Sequence, residues 1–358
     1  MSIHDKKNNS TKNIINQNQI NDKISSIIDM IVDDERYEEG KNEIRELFKQ
    51  NISNEKIIKQ CLTIINNIID IKGNSKHKIL SIIPEICQIN PNQFYNQVDL
   101  ILSIFQRCFE EDNSQFYSQI SQYFGDITKI LLNELNSQKN TYTNSEKDQN
   151  KNNLLIYSKF MNFCLSNIKS DNTGWQICGT LCLTSFIENC SFNYINDENF
   201  KCIFDIICSQ INNPNFPGKL EILNCFISLV FCSEEKYIPY SIETLNIIIQ
   251  FIEDEEWLIR KFSLNIIYTM LYYCKKELLE KKEFIIEKLK VLEKETNYEV
   301  KETVEQIYRM LKEDESMDKS YNNRILFLSE SGNDSNNSKF SSTQLSKNIF
   351  NCSMSNKE

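Results

Sequence analysis

The chain has 358 residues, of which 40% are hydrophobic and 25% charged, with a formal net charge of −10. That apolar share excludes disorder throughout and supplies one large domain or two ordinary ones. Only 7 Gly and 5 Pro occur, too few for the turns of an all-β fold, and no glycine-rich phosphate loop of the G-x-G-x-x-G or G-x-x-x-x-G-K-[ST] type is present.

The two histidines, His4 and His77, leave little for histidine-based triads or zinc sites. Thirteen cysteines form an odd set in a long chain without an export signal, which points to reduced, buried thiols. Net negative charge opposes broad nucleic-acid binding, because phosphate neutralisation needs a dense basic surface. No stretch reaches about 18 uninterrupted apolar residues, so a soluble cytoplasmic protein without a membrane span is expected.

Residues 1–18 are Asn, Lys and Ser with few large apolar side chains, and are expected to be a disordered tail. From 19 to 315 the apolar spacing is helical. Val98, Ile101, Leu102, Phe105, Cys108 and Phe109 step by three and four, as do Val300, Val304, Ile307 and Leu311. One polar stretch, 137–153, has Tyr142 as its only large apolar residue and reads as a flexible, solvated insertion. Residues 316–358 return to Ser and Asn and are expected to be disordered. The abundance of Asn elsewhere reads as compositional bias.

Polar turns fall near Asp34, Gly73, Asn113, Asn172, Asn215, Glu255 and Asn297, at intervals of 39, 40, 59, 43, 40 and 42 residues. Removing the insertion brings the long interval into line. A period of about 40–47 residues built from two helices is the mark of HEAT or armadillo repeats. The fold predicted is therefore all-α, a HEAT/armadillo-like α-solenoid of about six to seven helix pairs with disordered termini. Such a stack offers a long binding surface rather than a catalytic pocket. No paired carboxylates, activated nucleophile or cofactor loop stands out, so neither an enzyme nor a cofactor is expected.

The richest turn runs Glu253, Asp254, Glu255, Glu256, Trp257, Leu258, Ile259, Arg260, Lys261. Acidic residues there suit the positive N-terminal end of the second helix. Two readings of the basic residues stay open: a ladder pairing an acid of one turn with a base of the next, or a row of basic and aromatic side chains offered to an acidic partner. Trp257 either caps the core or projects toward that partner. Trp175 reads as a buried anchor. Cys178 and Cys182, at i and i+4, read as a small-residue packing seam rather than a metal site.

Three segments in register carry a resemblance. Glu255 to Lys261, an acidic pair followed by Trp-x-x-Arg-Lys, resembles the fifth or sixth repeat of the HEAT domain in Tortifolia/Spiral-type microtubule-associated proteins, which are similar to the tubulin-binding TOG domains. Gln176 to Leu183 resembles that family's Gln-x-small-small-x-x-Cys-Leu helix, and Phe216 with Lys219 resembles its Phe-x-x-Lys turn. The match covers about 170–313 and extends more weakly back to about residue 20. It implies a cytoskeleton-associated module that binds tubulin or microtubules through the turn edge, and it nominates Trp257, Arg260, Lys261, Lys219 and Lys301. The chain departs from the pattern at Phe262 and Asn265, and Lys301 is flanked by Glu299 and Glu302. The rival reading is a general HEAT scaffold that binds a peptide or subunit in its concave groove.

Overall fold

The structure, a computed structural model, describes residues 19–51, 55–70, 75–109, 114–137, 146–190 and 196–312. The expected tails 1–18 and 316–358, the turn positions Gly73 and Asn113, and the middle of the 137–153 segment lie outside the described residues. Among the described residues there is no strand. The chain divides into two compact units, Met1–Ile195 and Asn196–Glu358.

In the first unit, α1 (19–32) pairs with α2 (Tyr37–Gln50), α3 (Glu55–Ile68) with the short α4 (Lys76–Leu80) and α5 (Ile82–Ile89), α6 (Val98–Cys108) with α7 (Ser114–Ser137), and α8 (Glu146–Ile168) with α9 (Thr173–Asn189). The second helices of the pairs stack α2 on α5, α5 on α7 and α7 on α9, while α3 packs on α6 and α6 on α8. The second unit holds α10 (Asp197–Asn212) with α11 (Lys219–Ser233), α12 (Ser241–Ile248) with α13 (Trp257–Tyr273), and α15 (Lys282–Leu289) with α16 (Tyr298–Lys312); α14 (Lys275–Leu279) is a connector. Within it, α11 packs on α13 and α13 on α16. The repeating helix pair is that of HEAT and armadillo proteins.

Stacked inner helices are buried nearly all round, as α11 is from Ile222 to Val230, whereas the last described helix buries one stripe. Helix α16 buries Val300, Val304, Ile307 and Leu311, the three-and-four spacing of an amphipathic helix. In the first unit Phe124 packs against Phe105, Phe160 and Phe163, with ring centroids 5.5, 5.3 and 5.7 Å away. The turn positions Asp34, Asn172, Asn215, Glu255 and Asn297 lie between helices. Several of the asparagines act as caps. Asn172 Oδ1 accepts from the Trp175 N–H at 3.0 Å, and Asn297 Oδ1 accepts from the Glu299 N–H at 2.9 Å, which satisfies backbone donors that a helix start leaves open.

The segment read as an insertion is shorter than its composition suggests. Helix α7 continues to Ser137 and α8 begins at Glu146. A lack of apolar residues removes the burial signal, but Glu146, Lys147, Gln149 and Lys151 retain good helix propensity.

Ion pairs join successive repeats of the first unit. Lys78 donates to the Val32 carbonyl at 3.1 Å and pairs with Asp34, Arg107 pairs with Asp70 at 3.1 Å, and Lys159 with Asp99 at 2.6 Å. Glu85 on α5 receives both Lys41 (2.9 Å) and Arg45 (2.8 Å) from α2. Burial would raise the Glu85 carboxyl, but the hydrogen bonds from Lys41 and Arg45 outweigh it and hold it below its ordinary value. Glu85→Gln is expected to destabilise the chain by about 1–2 kcal/mol at neutral pH. A lowered folded-state carboxyl contributes stability that is complete above its unfolded value and is lost as pH falls through the folded one, so the difference should shrink below about pH 4. Urea unfolding of both proteins across pH checks this.

Candidate protein-binding edge

In the second unit the turns 213–218, 254–256 and 295–297 lead into α11, α13 and α16. The five residues nominated from sequence all stand at or near these helix starts, in four different states.

Arg260 and Lys261 are rungs of the ladder. Arg260 donates through Nε to Glu295 Oε2 at 2.7 Å, and through Nη1 to the carbonyls of Asp254 and Glu255 at 2.8 and 2.9 Å. It therefore ties its own turn to the next one. The Arg260 side chain is 16% exposed and that of Glu295 only 5%. The other Glu295 oxygen accepts the backbone N–H groups of Thr296 and Asn297, both at 2.8 Å. Burial pushes the Glu295 carboxyl up, but the Asn297 N–H, Arg260 and the Thr296 N–H more than offset it, leaving the group below its ordinary value. Lys261 pairs with Glu299 at the start of α16.

Lys219 is turned inward. Its ammonium donates to the Ile211 carbonyl and, at 3.4 Å, to that of Asn213, and it lies 5.1 Å from the centroid of the Phe251 ring. This closes its own turn over the next repeat. Burial pulls its pKa below the ordinary lysine value, partly offset by Asp254. Trp257 is half-buried at the first position of α13. Lys301 is exposed and has no ion pair among the described residues. It stands at the α16 position that Arg260 holds in α13, but no further helix pair follows among the described residues to supply a carboxylate.

Tyr298, absent from the sequence nominations, is the first residue of α16 and is 74% exposed. It occupies the place of Trp257 one repeat later: Tyr298-x-x-Lys301 has the spacing of Trp257-x-x-Arg260. That repetition is a signal the sequence carries. Lys294, just before the same turn, is also exposed. The last described turn thus carries an exposed aromatic residue with exposed Lys294 before it and Lys301 after it in the chain, beside exposed Glu293, whereas the turn before it has tied its cations into the fold.

One departure from the family pattern, Phe262, has a packing role, while Asn265 is half-buried. Phe262 is 2% exposed and fills the core of its repeat. Cys178 and Cys182 are fully buried, their thiols pushed up by burial, and among the described residues no cluster of His, Cys, Asp or Glu could hold a metal. Trp175 is half-buried, with its indole N–H enclosed. No described helix is long and apolar enough to cross a membrane.

Helix pairs of this period and ion-paired turns define an all-α repeat protein of the HEAT/armadillo type. The model of the TORTIFOLIA1 N-terminal family matches residues 18–313, and the chain belongs to that family. Among solved structures, it is similar to Kap121p bound to Ste12p (12% identity, TM-score 0.49, covering 76% of this chain and 31% of that one). It is also similar to Kap121p bound to Pho4p (11%, 0.48, 80% and 33%), and to a designed armadillo repeat protein (10%, 0.40, 67% and 94%). No curated protein matches the chain.

Proposed function

We propose that the chain is a non-enzymatic module, with residues 19–315 as its folded part, that binds tubulin or microtubules through the turn edge of its second unit and acts on the cytoskeleton in the cytoplasm. Family membership supports the microtubule association that the resemblance implies, and the exposed Tyr298, with Lys301 left without an ion pair among the described residues, is the observation that carries the choice of surface. An exposed aromatic residue with cations before and after it in the chain combines apolar contact area with charge suited to an acidic protein surface. In this reading Lys301, Lys294 and Tyr298 make the contact with Trp257 beside them, while Arg260, Lys261 and Lys219 hold the edge in register.

The ladder favours a second reading. Cations spent on inter-repeat pairs are what a general repeat scaffold would show, its peptide or subunit partner meeting the helix faces instead. Co-sedimentation of the full chain with microtubules, alongside gel filtration with unassembled tubulin, separates the two. Tyr298→Ala/Lys301→Ala should weaken binding about tenfold, equivalent to about 1.4 kcal/mol, and moderate salt should weaken the wild type further. Failure of the folded chain to bind either form would support the scaffold reading, and binding that ignores both the substitutions and salt would move the contact away from this edge.

A further inference from the structure

At the opposite ends of the same helices lies a second exposed patch. Phe231, near the end of α11, is 37% exposed, and Tyr272, near the end of α13, is 40% exposed. Both rings meet Tyr273: Phe231 edge-on at 6.1 Å and Tyr272 edge-on at 4.8 Å. The rim is acidic. Glu234 and Glu235 are exposed, and Glu234 is held at φ 50°, a left-handed backbone unusual for a residue with a side chain. Its charge reaches the cluster: burial, and then Glu234, push the Tyr273 phenol up to about 12.

Helices α13 and α16 are joined at their starts by Arg260–Glu295 and Lys261–Glu299 and pack along one another, so they run parallel and end side by side. Lys312, the last residue of α16, is therefore about one interhelical distance, ~10 Å, from Tyr272 and Tyr273 and about two, ~20 Å, from Phe231, because α11 packs on the other side of α13. Forty-six residues follow it, and Ile325-Leu326-Phe327-Leu328 is their one run of four large apolar residues, preceded directly by Arg324. A tether of 12 residues, the length of 313–324, has a root-mean-square reach of about 20 Å. That matches the span required, and a short tether of this kind gives an effective concentration on the order of millimolar.

We propose that Arg324–Leu328 docks on the Phe231–Tyr272–Tyr273 patch of its own chain, with the apolar run on the rings and Arg324 against Glu234 and Glu235. Hydrogen exchange of the full chain, read by mass spectrometry, tests this against Leu326→Asp/Phe327→Asp, which lies outside the helix pairs and leaves their folding intact. Amides of 325–328 and of 270–274 should exchange at least about fivefold more slowly in the wild type than in the variant, independently of protein concentration. Tyr272→Ser should release the same tail amides. Equal exchange in wild type and variant would overturn the proposal. So would protection that disappears on dilution together with a dimer, which would make a second copy the occupant.

Discussion

Arg260→Ala is expected to destabilise the chain by about 3 kcal/mol, the range for breaking a largely buried ion pair, and to lower its unfolding midpoint by roughly 5 °C. The substitution leaves Glu295, 5% exposed, without its cation, and frees the Asp254 and Glu255 carbonyls that Arg260 caps. The two backbone N–H groups still reaching Glu295 soften the loss without replacing the charge. Because the Glu295 carboxyl is held below its ordinary value, the pair contributes fully above the usual carboxyl range and loses its contribution as pH falls through the depressed value. The gap between wild type and variant should therefore close in acid. Lys301→Ala, exposed and without an ion pair among the described residues, should leave the stability within about 0.5 kcal/mol of wild type. Thermal unfolding of the two variants side by side distinguishes a cation that holds the fold from one available to a partner.

Gly179→Val is expected to cost about 3 kcal/mol, at the upper end for overpacking. A Cβ at position 179 would lie 2.8 Å from Asn167 Cβ, 3.0 Å from the Ile168 nitrogen and 3.2 Å from the Asn167 carbonyl carbon. Two of these three atoms are backbone, so α8 and α9 could accept the side chain only by moving apart. Gly40 plays the same part between α1 and α2, where a Cβ would meet Ile31 Cγ1 at 2.7 Å and the Ile31 nitrogen at 3.0 Å. A lowered urea midpoint with an unchanged denaturant slope would place the loss in native packing.

How much of this the sequence discloses depends on whether a feature repeats. The turn spacing is legible because each pair must bury the same stripe against its neighbour, so Asp34, Asn172, Asn215, Glu255 and Asn297 mark the turns directly. The capping role of Asn172 and Asn297 is hidden by an Asn-rich composition, in which a cap looks like background. The fate of Arg260 and Lys261 is not local at all. Their partners lie 35 and 38 residues on, and only the stacking register decides that each meets a carboxylate. Lys219 looks like a surface cation until its turn folds back and offers carbonyls. Tyr298 is missed for the reverse reason: exposure leaves no pattern in a chain, and only its alignment with Trp257, 41 residues earlier, marks the place.

Lysine acylation footprinting of the full chain with and without tubulin, read by mass spectrometry, tests the proposed edge most directly. Lys301 and Lys294, exposed in the free protein, should lose most of their reactivity when tubulin is bound, and salt that releases tubulin should restore it. A complex in which tubulin binds while Lys301 and Lys294 react as fast as in the free chain would contradict the assignment of this edge as the contact surface.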